Sequence, residues 1–570
     1  MSTLIAGSTE TKAQKAERLK REKNPWECLQ EIRSFAPGGY AAVPEAWIKT
    51  YFRWWGVYTQ GDGAGVLGGA NGEGKAVPFL MLRIRLANGF ITARQLRTVA
   101  ELSEKYARGS ADITVRQNIQ LHWVRVEDLP DVLQALFDAR LTSMGTCGDV
   151  PRNLTGCPLA GLDGNEVMDA SPLLFQAAQM LVGNPEFYNL PRKYKISISG
   201  CRDWCCYPEI NDLAFTPAIR ELDGSKERGF SVRVGGGLSA DPHLAVRLNA
   251  FVRWQQVLPV TQAVSELFRD AAALREHRER ARLKFLFLQH GWTADTFLVE
   301  LQRRLGYNLA PAVPEEVPAD VFRDHVGVHA QKQPGLFYIG CAVLRGRITP
   351  AQMRVAADVA ERFGSGELRT TSAQNLVVVN LARENIHQVL SELEAAGLPV
   401  RASSFWRGAV ACTGTEFCKL AITETKSFAR WLVEELDERL PGFDQHLKLN
   451  VTGCPNSCGQ HRIADVGLEG KKIKVNGHLQ DAYYFCLGGA VGEHAGFGRP
   501  VGYRCLAQEV PDAIERLLRR YMFFREGGEN LRQFFARHTD SELRSFLAGQ
   551  EVTAVERDLP SGRVPREVEG

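Results

Sequence analysis

The sequence predicts an α/β (α+β) protein built by duplication, in the order module A, module B, module A′, module B′. Three observations predict it. Residues 89–96 read Gly-Phe-Ile-Thr-Ala-Arg-Gln-Leu and residues 346–353 read Gly-Arg-Ile-Thr-Pro-Ala-Gln-Met, an offset of 257 that also pairs Thr114, Gln117 and Asn118 with Thr371, Gln374 and Asn375. A second set of segments repeats at an offset of 253. There Lys195, Gly200, Cys201 and Cys205 align with Lys448, Gly453, Cys454 and Cys458, Ile210 and Asp212 with Ile463 and Asp465, and Gly235-Gly236 with Gly488-Gly489. Finally, 570 residues are too many for a single ordinary core. Spaced matches at a constant offset mark a repeated structural unit.

Each A copy holds a strand-like apolar run, a helix-like segment (Arg94–Tyr106; Ala351–Phe363), a second strand-like run (Ile119–Val126; Leu376–Leu381) and another helix. That is a β-α-β-α half-domain. The expected division is an N-terminal helical or extended segment at 1–50, the A copies at 51–136 and 328–400, and the B copies at 137–327 and 401–570, with a helical tail. The A copies are expected to pair into one pseudo-two-fold domain and each B copy to form its own α/β domain. A site at their junction would borrow residues from both halves.

Composition narrows the function. A net charge of +3 gives no support to a nucleic-acid or membrane-surface role. The first residues are polar and mixed in charge, unlike a signal peptide, and no apolar stretch is long enough to span a bilayer. A soluble, cytoplasmic monomer is the expectation. The chain has 13 cysteines, an odd number, and cytosolic thiols stay reduced. Clustered cysteines then point to metal or catalysis.

The clustering is uneven. Cys412 and Cys418 form a C-x5-C pair, and Cys454 and Cys458 a C-x3-C pair. Four thiolates in two pairs suit an iron–sulfur cubane, which needs one soft anionic ligand at each corner. Structural zinc is the rival, but its compact knuckles fit C-x5-C poorly. Small residues around them (Thr413, Gly414, Gly453, Ser457, Gly459) suit backbone that approaches a cofactor closely.

Ala-Cys412-Thr-Gly-Thr-Glu-Phe-Cys418, Glu424-Thr425-Lys426 and Asn450-Val-Thr-Gly-Cys454-Pro-Asn-Ser-Cys458-Gly-Gln resemble the signature of ferredoxin-dependent sulfite and nitrite reductases. The resemblance covers roughly residues 15–535. It implies paired ferredoxin-like half-domains with two siroheme/Fe–S-type domains. It also implies siroheme and one [4Fe–4S] cluster as cofactors, with Cys412, Cys418, Cys454 and Cys458 as cluster ligands and Cys458 bridging cluster and siroheme. The activity implied is six-electron reduction of a small oxyanion.

Such an anion needs fixed guanidinium groups for binding and an ammonium able to give up a proton. Matching the family's pocket motifs are Arg83 in Leu-Met-Leu-Arg-Ile-Arg, Arg152 in Asp-Val-Pro-Arg-Asn, and Lys193 with Lys195 in Pro-Arg-Lys-Tyr-Lys. Siroheme contacts are implied for Thr114, Arg116, Gln120 and His122, whose alternation suggests a single strand face. Tyr58 in Trp-Trp-Gly-Val-Tyr-Thr-Gln and Cys147 in Thr-Cys-Gly-Asp match two segments that are covalently joined in a member of the sulfite branch.

Gly63-Ala-Gly65-Val-Leu-Gly68 matches a dinucleotide fingerprint, but Gly69, Gly72 and Gly74 follow where a helix should begin, so a surface loop is expected. With no other flavin or nicotinamide fingerprint, electrons are expected from a separate acidic ferredoxin. The basic excess at Lys12, Lys15, Arg18, Lys20, Arg21 and Lys23 is a candidate docking face. Cys201 and Cys205 read as a relic of the duplication. A second metal site there would need two more ligands; Cys147 and Cys157 are available, but no cysteine obviously matches Cys418. A non-catalytic iron–sulfur carrier and a related cobalamin-pathway enzyme are the rival classes. Lys195 favours sulfite, because a fourth cation suits the more highly charged anion. The run from Arg152 to Gly161 and the segment around Gln374-Asn375 look closer to nitrite reductases.

Overall fold

The computed structural model describes residues 10–62, 76–319 and 324–550. The glycine-rich segment from Gly63 to Gly74 lies outside them.

The two A copies exchange their shortest strands. One five-stranded sheet runs Val57–Gly61, Ala76–Ile84, Ile119–Val124, Ala111–Ile113 and then Arg347–Ile348, which belongs to the second copy. The other runs Gly327–Ala330, Leu336–Cys341, Leu376–Ala382, Glu367–Thr370 and then Phe90–Thr92, which belongs to the first. The registers match: Arg347 sits opposite Asp112, and Phe90 opposite Arg369, the same pair shifted by the repeat. Each exchanged strand leads into a helix, Ala93–Tyr106 or Pro350–Phe363. Thr92 and Thr349 cap these helices through Gln95 and Gln352 in identical capping boxes. The helices pack on each other, and Arg97–Glu361 at 2.6 Å is mirrored by Arg354–Glu104. One apolar core runs through both copies, from Leu80 and Val99 to Met353 and Val378. Apolar faces at helical and strand periods supply it from both halves, so neither half can bury its face alone.

The B copies carry separate cores. The first is a sheet of Ile196–Ile198, Leu213–Leu222, Ser225–Val234 and Val246–Arg253. The second is Ala409–Ala411, Leu449–Thr452, Val466–Val475, His478–Leu487 and Arg499–Leu506. The first combines one parallel pair, and the second two, with long antiparallel hairpins, and both continue into a helix, Val257–Asp270 or Val510–Phe524. Asp212 Oδ2 accepts the Lys195 N–H at 2.8 Å, and Asp465 Oδ2 accepts the Lys448 N–H at 2.7 Å.

One expectation fails. Thr114, Arg116, Gln120 and His122 do not share a strand face. The strand Ala111–Ile113 ends before Thr114, and the next begins at Ile119. Residues 114–118 form the turn between them, with Gln117 at φ +58° and Thr114 Oγ1 accepting from the Arg116 and Asn118 N–H groups. An apolar-polar alternation looks the same in sequence whether the chain runs straight or turns, and the Thr hydroxyl closes the turn here. Among the described residues no helix is long and apolar enough to cross a membrane.

Candidate active site

The Arg83 and Arg152 guanidiniums are held by one carbonyl. Arg83 Nη1 donates to Thr146 O at 3.1 Å and Arg152 Nη1 to the same oxygen at 2.9 Å. Arg83 Nε also donates to Gln120 Oε1 at 2.8 Å, so Gln120 acts on the arginine that shares its sheet. Arg152 Nε and Nη2 both donate to Gly148 O, at 3.0 and 2.9 Å. The guanidinium planes are therefore fixed before any anion arrives, and ordering them costs little on binding.

Arg116 reaches from its turn into the first B copy. Its Nη1 donates to Asn211 Oδ1 at 2.8 Å and its Nη2 to Asn153 O at 2.6 Å. Its Nε is buried without a hydrogen-bond partner. Lys193 and Lys195 lie on the extended lead into Ile196–Ile198. Burial, then Arg282 and Arg192, lower the Lys193 ammonium to about 7, with Cys458 opposing. Burial, then Arg116 and Lys193, push Lys195 well below its ordinary value. Five cations thus converge with little water, and each makes its neighbours easier to deprotonate. Sequence reasoning missed Arg192 and Arg282. Arg192 had a signal, lying beside Lys193; Arg282, clamped on Asp212 at 3.0 and 2.8 Å, had none.

The four cysteines close on this cluster from the other half. Cys412 directly follows the strand Ala409–Ala411, while Cys454 and Cys458 follow Leu449–Thr452. Cys412 Sγ accepts the Gly453 N–H at 3.2 Å. Ser457 at φ +54° and Gln460 at φ +61° bend the C-x3-C loop, and the Ser457 hydroxyl is buried without a partner. Cys458 is exposed and Cys454 buried. Burial raises the Cys418 thiol to about 12, so the set needs a cation to ionise it. Four convergent thiols, the unpaired Arg116 Nε and the surrounding cations fit a cluster joined to a polycarboxylate macrocycle.

His122 faces the second half, beside the Asp112–Arg347 pair. It stacks on Phe417 at 3.8 Å and 10°, inside the Cys412–Cys418 loop, with Nε2 3.3 Å from Asp112 Oδ2. Near Tyr58, the Arg53 guanidinium lies 5.3 Å from the ring centroid. Cys147 is a free thiol whose Sγ is 3.3 Å from Arg83 Nη1. The N-terminal basic run is not a uniform docking face. Lys20 is buried against Glu17, Asp149 and Leu190 O, and Arg18 and Lys23 pair with local glutamates. Only Leu19 and Lys20 of this N-terminal helix are buried, and charge counting does not reveal that Lys20 is spent inside.

Fold and site together define the class, a duplicated oxidoreductase of the 4Fe-4S type. The family described as "Nitrite and sulphite reductase 4Fe-4S domain" matches residues 147–309 and 402–550, and its companion ferredoxin-like half domain matches 74–138 and 329–396. The chain belongs to this family. It is 36% identical to "Sulfite reductase [ferredoxin] 1" of Mycolicibacterium paratuberculosis, covering 93% of this chain and 95% of that protein. It is 37% identical to "Ferredoxin--nitrite reductase" of Leptolyngbya laminosa, covering 90% and 97%. The solved structure of the Mycobacterium tuberculosis NirA protein superposes with a TM-score of 0.87 at 36% identity, covering 93% and 97%.

Proposed function

We propose that this chain is a ferredoxin-dependent reductase that converts sulfite to sulfide by six electrons, with nitrite to ammonia as the alternative reaction. One observation carries the reading: Lys193, in the first half, is close enough to Cys458, in the second, for that thiol to bias its protonation. This supports a site that draws on residues of both halves.

Cys412, Cys418, Cys454 and Cys458 hold the [4Fe–4S] cluster, and Arg116 is available to a siroheme carboxylate. Siroheme coupled to such a cluster would, when bound there, supply single electrons to an anion held beside these residues. Arg83 and Arg152 hold the oxyanion in a fixed orientation, because their planes are already set by Thr146 O and Gly148 O. Lys193 and Lys195 hold protons loosely in the unliganded pocket. An arriving anion raises both, so binding draws protons to the ammonium groups beside it, and each departing oxygen needs such a proton.

Lys195 supports sulfite over nitrite, since it adds a cation within reach of Lys193 and Arg116. The test compares kcat/KM for the two anions with reduced ferredoxin. Sulfite is expected to win. A nitrite preference above about a hundredfold, near 3 kcal/mol in the transition state, overturns the choice of substrate.

A further inference from the structure

The first B copy contains a second cysteine constellation at the position equivalent to the cluster site. Thr155 bridges Ser197 in parallel, and Val410 pairs with Asn450 in parallel. Ser197 and Asn450 are equivalent at the offset of 253, so Thr155 stands for Val410 and Cys157 for Cys412. Cys201 and Cys205 stand for Cys454 and Cys458 by the same offset. The loops also share their backbone: Trp204 at φ +48° and Tyr207 at φ +53° repeat Ser457 at +54° and Gln460 at +61°. Three of the four cluster positions are therefore kept, in the same loop geometry.

The fourth donor comes from elsewhere. His325 lies just before the strand Gly327–Ala330, 3% exposed and at φ +62°. A non-glycine residue in that region is strained unless its surroundings hold it there. They do: Asp324 is clamped by Arg407 at 2.7 and 2.8 Å and accepts the Val326 N–H at 3.0 Å. The donor atoms of Cys157, Cys205 and His325 all lie within 4.8 Å of one another, and so do those of Cys157, Cys201 and Asp163. The Cys201 sulfur accepts the Asp203 N–H at 3.3 Å, a contact that suits a thiolate. Leu159, Leu162, Tyr338, Val377 and Val379 surround the group and keep water out.

We propose that Cys157, Cys201, Cys205 and His325 form a second metal site, which takes one divalent cation of the zinc class rather than a cluster. Size decides between the two. A tetrahedral zinc with bonds of about 2.3 Å to sulfur gathers its donors to about 3.8 Å from one another. A cubane holds its ligands at the corners of a larger body. Among the described residues, Cys412, Cys418, Cys454 and Cys458 form no group of three donors within 4.8 Å, whereas Cys157, Cys205 and His325 do, and Cys201 lies within that distance of Cys157. Binding releases the thiol protons to solvent and changes no oxidation state. The ion staples the first B copy to the segment that opens the second A copy, so its role is structural. The duplicated loop has kept its ligands and changed its metal.

The holoenzyme tests this. Zinc and iron are measured after dialysis against EDTA, with the zinc K-edge fine structure recorded. About one zinc per chain is expected, with sulfur neighbours at about 2.3 Å and one nitrogen at about 2.0 Å. His325→Gln and Cys205→Ala are each expected to lose at least nine-tenths of the zinc while the siroheme spectrum and cluster iron stay unchanged. If Cys205→Ala does not fold, His325→Gln decides alone. Three results overturn the proposal: reduced wild-type protein that takes up no added Zn2+, full zinc retained in His325→Gln, or a second set of cluster irons lost with Cys205. None of these depends on turnover.

Discussion

Gln117 and Gln374 tie the two halves together reciprocally: Gln117 Nε2 donates to Thr370 O at 3.3 Å, and Gln374 Nε2 donates to Ile113 O at 2.9 Å. The residues are equivalent at the offset of 257, and so are their acceptors. Both sit at positive φ, +58° and +63°, at the tip of equivalent turns. Each amide also reaches the backbone residue just ahead of a cysteine, Gly156 before Cys157 and Ala411 before Cys412.

That second contact separates the two variants. Each alanine substitution leaves buried carbonyls unpaired and costs about 1–3 kcal/mol of stability. Only Gln374→Ala also loosens the strand that presents Cys412, where Ala411 N–H donates to Gln374 Oε1 at 3.0 Å. Urea midpoints are expected to fall in both, and iron retention on gel filtration only in Gln374→Ala. Equal iron loss in the two contradicts this division.

Replacing any of Cys412, Cys418, Cys454 or Cys458 by serine is expected to remove the cluster and turnover together. Elemental iron and the visible spectrum read the outcome. Full cluster, siroheme and activity in Cys458→Ser would mean that the bridging ligand lies elsewhere.

Arg83→Ala and Arg152→Ala are expected to lower kcat/KM for sulfite by about 10²–10³, as removal of a donor from a developing anion does. Because both groups donate to Thr146 O and are expected to act on one anion, their effects should couple, and the double variant should fall short of the product of the two. Strict additivity would show that the shared carbonyl does not couple them.

Lys193 gives a pH signature to the protein freed of its cofactors. Its folded value is about 7 against an ordinary 10.5, because burial and then Arg282 and Arg192 disfavour the charge and Cys458 only partly offsets them. Between these values the unfolded chain binds more protons, so this group makes stability rise with pH across that window. Lys193→Met removes its share of the slope, while Lys195, also lowered by burial, keeps its own. The variant is expected to be more stable than wild type at pH 7, with the advantage shrinking by pH 10, as measured by urea midpoints. A constant difference across the window would rule out the lowered value.

Turnover with reduced ferredoxin is expected to fall steeply as salt rises from 50 to 300 mM, roughly the range over which surface charges become screened. Substituting Lys20 should leave that salt slope unchanged, because its ammonium is spent on Glu17, Asp149 and Leu190 O inside the fold. Efficient turnover with NADPH alone would remove the separate donor.

The duplication, the two cysteine pairs and the cationic runs are legible in the sequence alone. Each leaves a local trace: a constant offset, a paired spacing, a cation at a fixed place in a short run. The tertiary structure decided what depends on contacts between distant segments. It exchanged Phe90–Thr92 and Arg347–Ile348 between the sheets, which no local pattern encodes, because a short strand has the same propensity whichever sheet accepts it. It moved Thr114 and Arg116 from a strand to a turn, placed His122 against Phe417, and spent Lys20 in the interior. It also brought His325 to Cys157 and Cys205 across more than a hundred residues of chain. Periodicity reports which face of an element is buried; only the packed chain reports what it is buried against.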